Sequence, residues 1–260
     1  MLTIKTKIRY NMQKSGDKMK KKITIILILL IAILSGFFFC NSNKTKAIIK
    51  PKITIKEENK KEKEQINYQQ IITELQKKYN NNDIVALVKI PELLEEEIVQ
   101  TKDNDYYLHY DKYKNKNIIG ATFLDYRNNL ELSNKLLIYA HSDPEGTLPF
   151  VKLTNYNNED FYKEHKYIYL IDSKKERKYE VFASYIETED FDYVNLNSFN
   201  GLTYEEHLNK LKSKSLIKTD VELNENSKVL ILQTCSFNKD INSKDKYQLV
   251  IAKEIKNNEE

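Results

Sequence analysis

The chain has 260 residues, 40% of them hydrophobic and 31% charged, which excludes a wholly disordered chain and a multi-pass membrane protein. Two cysteines are too few for a disulfide-dense scaffold or a cysteine-rich zinc module. The net charge of +4 is unevenly divided, because residues 1–52 carry 12 basic side chains and one acid, whereas the remainder carries 30 basic and 37 acidic residues. A cationic N-terminal segment is therefore joined to an acidic domain.

The first predicted element is the apolar segment 23–40, ITIILILLIAILSGFFFC, which contains no charged residue and is long enough to cross a bilayer. Residues 1–22 are strongly basic, and a basic flank stays in the cytoplasm. A cleaved signal peptide needs small residues at its cleavage site, whereas the end of this segment, Gly36-Phe37-Phe38-Phe39, contains three bulky phenylalanines. Phe39 before Cys40 also disfavours a lipid-modified cysteine. We therefore predict a single-pass protein of the cell membrane, with a cytoplasmic N-terminus and an extracellular C-terminal domain.

The segment 41–64 is rich in Lys, Glu and Asn and predicts a stalk, followed by one domain over residues 65–260. That domain begins with a predicted amphipathic helix, because apolar side chains recur with the period of a helix. The residues on this face are Tyr68, Ile71, Ile72, Leu75 and Tyr79.

Short β-branched and aromatic runs separated by polar turns follow, a pattern typical of a barrel or sandwich. The predicted strands are Ile84–Ile90, Ile118–Leu124, Leu136–Ala140, Tyr167–Asp172, Lys178–Ile186, Lys228–Thr234 and Tyr247–Ile255. Two helical interruptions are expected, a short one near 159–165 and a longer one over 204–214. The fold class is therefore mostly β.

Two residues at strand ends are the candidates for chemistry. Cys235 ends the apolar run at 229–232, where a thiol is held rigidly yet is reachable from solvent, as a nucleophile requires. A nucleophilic thiol needs a base, and of four histidines only His141 also directly follows an apolar strand. A small buried cysteine and an ordinary loop histidine are the alternatives that these positions leave open.

Four segments occur in the order and spacing of the sortases. LLIYAHS at 136–142 resembles their strand-then-histidine motif, and ILQTC at 231–235 resembles their TLxTC motif, with Ile231 in place of the first Thr. VQTKDNDYYL at 99–108 and ATFLDYRN at 121–128 are similar to segments of class B sortases. The N-terminal helix and the helix at 204–214 are also features of that class.

The resemblance implies a closed β-barrel of about seven to eight strands, with the second helix inserted before the strand that leads to the cysteine. It implies a membrane-anchored cysteine transpeptidase, in which Cys235 cleaves a C-terminal sorting signal after Thr and forms a thioacyl-enzyme, while His141 acts as acid and then base. The expected partners are surface proteins carrying that signal, a peptidoglycan stem or cross-bridge amine, and the membrane. No metal, organic cofactor or nucleic acid is expected.

One departure from the family affects the mechanism. Sortases carry an Arg on the strand after the cysteine, but the three arginines here are Arg9, Arg127 and Arg177. The family register puts Tyr247 in the Arg position, and strand alternation turns Lys246 to the opposite face.

Three possibilities remain open at this point: a variant that uses Tyr247, a variant that uses Lys246 or Lys244, or a catalytically weak relative that binds sorting signals or wall peptides. Two smaller features are interpreted as structural. Asp103-Asn104-Asp105 lacks the Gly and distal Glu of a calcium loop, and Asp125 with Arg127 predicts an ion pair under the site.

Overall fold

The computed structural model describes residues 66–255. The predicted cytoplasmic segment 1–22, membrane anchor 23–40 and stalk 41–64 lie outside the described residues. Within 66–255, no helix is both long enough and apolar enough to cross a membrane.

Eight strands and four α-helices make up the described part of the chain. The strands are β1 (Ile84–Ile90), β2 (Leu94–Val99), β3 (Phe123–Leu124), β4 (Lys135–Tyr139), β5 (Tyr167–Asp172), β6 (Glu176–Glu187), β7 (Val229–Cys235) and β8 (Tyr247–Ile255). The helices are α1 (Tyr68–Tyr79), α2 (Tyr106–His109), α3 (Glu159–Glu164) and α4 (Tyr204–Ser213), with 3₁₀ segments at Pro149–Asn157 and Asp192–Val194.

The strands form a closed barrel in the order β1-β2-β3-β4-β7-β8-β6-β5, which confirms the predicted mostly-β barrel and its strand number. Most neighbours are antiparallel, but β2 with β3 and β4 with β7 run parallel. Helix α4 precedes β7, as predicted, and its start is fixed by a capping box between Thr203 and Glu206.

Six of the seven predicted strands are confirmed with small shifts in their ends, and the seventh, Ile118–Leu124, is wrong over most of its length. Only Phe123 and Leu124 form a strand, because Ile118 is 91% exposed and Gly120 turns the chain with a positive φ. Strand β2 was not predicted because its centre is Glu95-Glu96-Glu97, a residue type that is depleted in strands.

Alternation along β4 and β7 gives each strand an inner and an outer face. Leu230 and Leu232 pack inside the barrel, whereas Val229 and Ile231 join an outer cluster with helix α4. Side chains two residues apart share a face, so Gln233 and Cys235 continue the outer face of β7 beyond Ile231. The end of this face is where the candidate site forms.

Candidate active site

The parallel pairing of β4 with β7 brings the two candidate residues to one edge of the barrel. Tyr139 pairs with Gln233, the last pair of the ladder, and two side-chain hydrogen bonds join the chains beyond it. The Thr234 hydroxyl donates to the Ala140 carbonyl at 2.8 Å, and the Ser142 hydroxyl donates to the Cys235 carbonyl at 2.6 Å. Because parallel strands end at the same edge of a sheet, both residues come to lie over it.

Cys235 and His141 line one cavity of about 330 Å³, which we call the thiol cavity. Leu108, Tyr139, Gln233 and Tyr247 are among its other lining residues. Among the described residues of this lining, His141 is the only side chain that can carry a positive charge. A charged partner for the thiolate must therefore come from His141.

The ring of His141 is oriented by a backbone carbonyl. Its Nε2 lies 3.2 Å from the oxygen of Leu108, at the end of α2. A carbonyl oxygen only accepts, so this contact holds a proton on Nε2 and leaves Nδ1 as the atom that exchanges protons in the neutral ring. The close approach of α2 depends on Gly120, whose position would place a Cβ 3.1 Å from His141 Cδ2.

The Cys235 thiol lies at an exposed residue at the end of β7. Packing around the sulfur raises the pKa of the thiol above its ordinary value, because desolvation disfavours the thiolate. The thiolate is therefore disfavoured in this setting. Ionisation of the thiol needs a base, and His141 is the residue of the thiol cavity that can supply one.

Tyr247 and Lys246, the two neighbouring residues considered for the family Arg position, have different surroundings at the start of β8. Tyr247 pairs directly with Cys235 across the β7–β8 ladder and lines the thiol cavity. Its hydroxyl makes no hydrogen bond within residues 66–255. The Lys246 ammonium instead donates to the carbonyls of Asn238 and Ile241, where it holds the β7–β8 loop in place. The structure thus places Tyr247 at the thiol and Lys246 away from it.

Gln233 was not singled out in the sequence as a site residue. It lies two residues before Cys235, so its side chain is on the same face of β7 as the thiol. The Tyr193 hydroxyl donates to its Oε1 at 2.8 Å, which leaves the Nε2 amide free to donate into the thiol cavity. The sequence signal that could have indicated it is the position of this Gln in the TLxTC-like motif, two residues before the cysteine and therefore on the same face of the strand.

Asp125 organises the floor below the thiol cavity, and it is fully buried. It accepts hydrogen bonds from Arg127 at 2.7 and 2.8 Å, from the Tyr139 hydroxyl at 2.9 Å and from Asn104 at 3.0 Å. Burial alone would raise the pKa of Asp125, but these donors hold it below the ordinary value. The ion pair with Arg127 that the sequence predicts is present.

Replacing Asp125 with Asn is expected to lower the free energy of unfolding at pH 7 by about 2 kcal/mol, because an amide nitrogen would face hydrogen-bond donors. The pKa of Asp125 is lowered in the folded state, so its contribution is present above the ordinary Asp pKa of about 4 and is lost as pH falls below it. The gap between wild type and variant should therefore shrink in urea titrations at pH 3.

Asp240→Asn is the matched control for this change, because Asp240 is exposed and its carboxylate has no partner within residues 66–255. That variant should unfold like the wild type at both pH values. An equal loss for Asp125→Asn at pH 7 and pH 3 would contradict the role given to its charge.

The remaining candidates lie elsewhere. His109 is exposed, His165 ends α3, and His207 is buried in α4 at 3.0 Å from the Lys135 ammonium. Arg177 forms a buried ion pair with Asp172. No group of three or more His, Cys, Asp or Glu within 66–255 has the arrangement of a metal site.

No protein-family model matches the chain. The sortase B of Listeria monocytogenes is 32% identical over 162 residues, which span 62% of this chain and 65% of that protein. The sortase B of Staphylococcus aureus is 28% identical over 230 residues, which span 84% of this chain and 91% of that protein.

The solved structure of Clostridium perfringens sortase B superposes with a TM-score of 0.63 at 31% identity, over 71% of this chain and all of that one. This chain belongs to the class B sortases. The family is one of cysteine transpeptidases. This class B sortase has no Arg on the strand that follows the cysteine, where the family pattern described above has one.

Proposed function

We propose that this class B sortase is a membrane-anchored cysteine transpeptidase of the cell surface. The observation that carries the proposal is the parallel pairing of β4 with β7, which lines one cavity with Cys235 and His141. A solved structure similar to this chain, at 28% identity and a TM-score of 0.61, is a Staphylococcus aureus sortase B–substrate complex. This similarity supports a sorting-signal peptide as the occupant of the thiol cavity.

In the first half of the reaction, His141 Nδ1 takes the proton of the Cys235 thiol and the sulfur attacks the carbonyl carbon of the Thr. The C–S bond forms, the peptide C–N bond breaks, and His141 returns the proton to the leaving amine. In the second half, an amine of the peptidoglycan attacks the thioester and His141 accepts its proton. The protein substrate thereby becomes covalently joined to the wall. The segment 23–40 would anchor the enzyme in the membrane while this reaction takes place outside it.

The carbonyl oxygen needs hydrogen-bond donors as negative charge develops on it. Tyr247 supplies a hydroxyl from β8 and Gln233 supplies an amide from β7, both at the thiol cavity. Two neutral donors replace the planar charged donor of the family Arg. We assign the oxyanion role to this pair.

A weakly active relative that binds sorting signals without efficient turnover is the second candidate. It is favoured by one observation: Arg127 and Arg177, the two arginines of the described residues, bind Asp125 and Asp172 and do not line the thiol cavity. Such a protein would bind a sorting peptide but form little acyl-enzyme.

Product analysis with a panel of Thr-containing sorting peptides, with and without triglycine, separates the possibilities. The transpeptidase should give an amide-linked product when triglycine is present and an acyl adduct on Cys235 by mass spectrometry. A plain thiol hydrolase would release the same acid product under both conditions. A binding protein would show peptide affinity and neither product, which would overturn the proposed function.

Removing the Tyr247 hydroxyl is expected to lower kcat/KM for a sorting peptide by about tenfold, less than the hundredfold typical of a sole oxyanion donor because Gln233 remains. The double variant Tyr247→Phe with Gln233→Leu should lose about a hundredfold or more. Steady-state kinetics on one peptide measures both.

Lys246→Ala is the comparison for these variants, since its ammonium binds loop carbonyls and not the thiol cavity. It should keep the wild-type kcat. Full activity of Tyr247→Phe together with loss of activity in Lys246→Ala would assign the donor role to the lysine.

A further inference from the structure

A second cavity also lies against His141. It has a volume of about 230 Å³, and besides His141 the charged side chains that line it are Glu96, Glu97, Asp111 and Lys112; because carboxylates predominate, we call it the acidic cavity. The acidic and thiol cavities share two lining residues, Ala140 and His141. One imidazole thus borders two separate spaces.

The carboxylates of the acidic cavity differ in how they are neutralised. Glu97 accepts from the Tyr79 hydroxyl at 2.7 Å and forms an ion pair with the Lys112 ammonium. Asp111 accepts two backbone amides in a turn, each at 2.9 Å. The Glu96 carboxylate has neither a hydrogen bond nor an ion pair within residues 66–255, although the Glu96 backbone pairs with Val88 of β1. The cavity therefore holds one unpaired carboxylate.

Glu96 is half-buried on β2, between the exposed Glu95 and the paired Glu97. Burial raises its pKa, and the charges of Lys112 and Lys152 offset this only in part. A carboxylate in this state is poorly solvated and gains stability from a cation beside it. An ammonium group entering the cavity would supply that cation.

The second half of the reaction needs a route by which an amine can reach His141. Once the acyl group is attached to Cys235, it occupies the thiol cavity, yet the incoming amine must still reach the imidazole that accepts its proton. Resting on the proposed function, we propose that the acidic cavity receives the acceptor substrate as a primary ammonium, with Glu96 binding the cation beside His141.

The atoms and charges of this step balance. The ammonium first releases one proton to solvent and becomes the free amine. The amine nitrogen then attacks the thioester carbon and its second proton passes to His141, as the new C–N bond forms and the C–S bond breaks. The electron pair of the C–S bond leaves on the sulfur of Cys235, which is restored as a thiolate beside the imidazolium.

The test is Glu96→Gln in the same enzyme, assayed with a sorting peptide and triglycine as the probe amine. The KM for triglycine should rise by about tenfold, the effect of losing one charge-assisted contact. The rate of acyl-enzyme formation, and of hydrolysis without amine, should stay at the wild-type value because Glu96 does not line the thiol cavity.

Two controls test whether the effect depends on the negative charge of Glu96 and the positive charge of the amine. Glu95→Gln changes the neighbouring exposed carboxylate, whose partner is Lys89 at 3.0 Å, and should leave the KM for triglycine unchanged. Hydroxylamine, a nucleophile that is mainly uncharged at neutral pH, should react equally well with wild type and Glu96→Gln.

An unchanged KM for triglycine in Glu96→Gln, with acylation intact, would overturn this inference and leave the proposed function standing. An equal loss with hydroxylamine would also overturn it, because the effect would not depend on the charge of the amine. Absence of any acyl-enzyme in the wild type would overturn the proposed function, and this inference with it.

Discussion

Cys235→Ala is expected to abolish cleavage of a sorting peptide, with a loss on the order of 10⁴-fold or more, because removal of a nucleophile eliminates the covalent route. Both the amide product made with triglycine and the acid product made without it should disappear. Chromatography of the two products gives the rates. Mass spectrometry should also lose the acyl adduct, although Cys40 remains in the chain as a second thiol.

The same variant should fold like the wild type. Cys235 is exposed, and its sulfur makes no hydrogen bond within residues 66–255. Thermal unfolding and circular dichroism should therefore coincide for the two proteins, so that lost activity reports the missing thiol. Cleavage at the wild-type rate in Cys235→Ala would refute the assignment of the nucleophile.

Gly120→Ala is expected to lower the free energy of unfolding by about 3 kcal/mol and to reduce kcat. Gly120 has φ +64°, where a side chain is strained, and its Cβ would lie 2.4 Å from the backbone oxygen of Tyr107. The clash must push α2 away, and α2 carries the Leu108 carbonyl that orients His141. Urea unfolding measures the stability and steady-state kinetics measures the activity.

Gly146→Ala separates the clash from the backbone strain. Gly146 also has a positive φ, +78°, but no atom lies within 4 Å of the position of its Cβ. This variant should lose about 1 kcal/mol, the cost of the strained backbone alone, and should keep its kcat. Equal losses in the two variants would show that the approach of α2 to His141 does not depend on Gly120.

Several elements could be predicted because their signals are local. Strands β5 and β8 have the predicted ends, and α1 buries Ile72 and Tyr79 from the predicted apolar face. Strand β2 could not be predicted in this way. Three consecutive glutamates interrupt its apolar pattern, and it forms a strand because β1 and β3 supply hydrogen-bonding partners on both sides.

The residues of the candidate site also differ in whether local sequence patterns were enough to predict them. Cys235 and His141 could be singled out as candidates because each follows an apolar run, a pattern contained in a few neighbouring residues. Tyr247 followed from register, and its distinction from Lys246 required the loop carbonyls that bind the lysine. Gln233 was missed, because its orientation depends on Tyr193, which is 40 residues away in the chain.

Residue counts and local patterns were enough to predict the charge asymmetry, the mostly-β class, the inserted helix and the two strand ends that carry Cys235 and His141. The folded barrel brings these ends together, since contacts such as Ser142 with Cys235 join residues 93 positions apart. It also makes His141 border a second, acidic cavity. The physical reason is that side-chain alternation is a property of one strand, whereas the partner of a strand is selected by packing of the whole barrel.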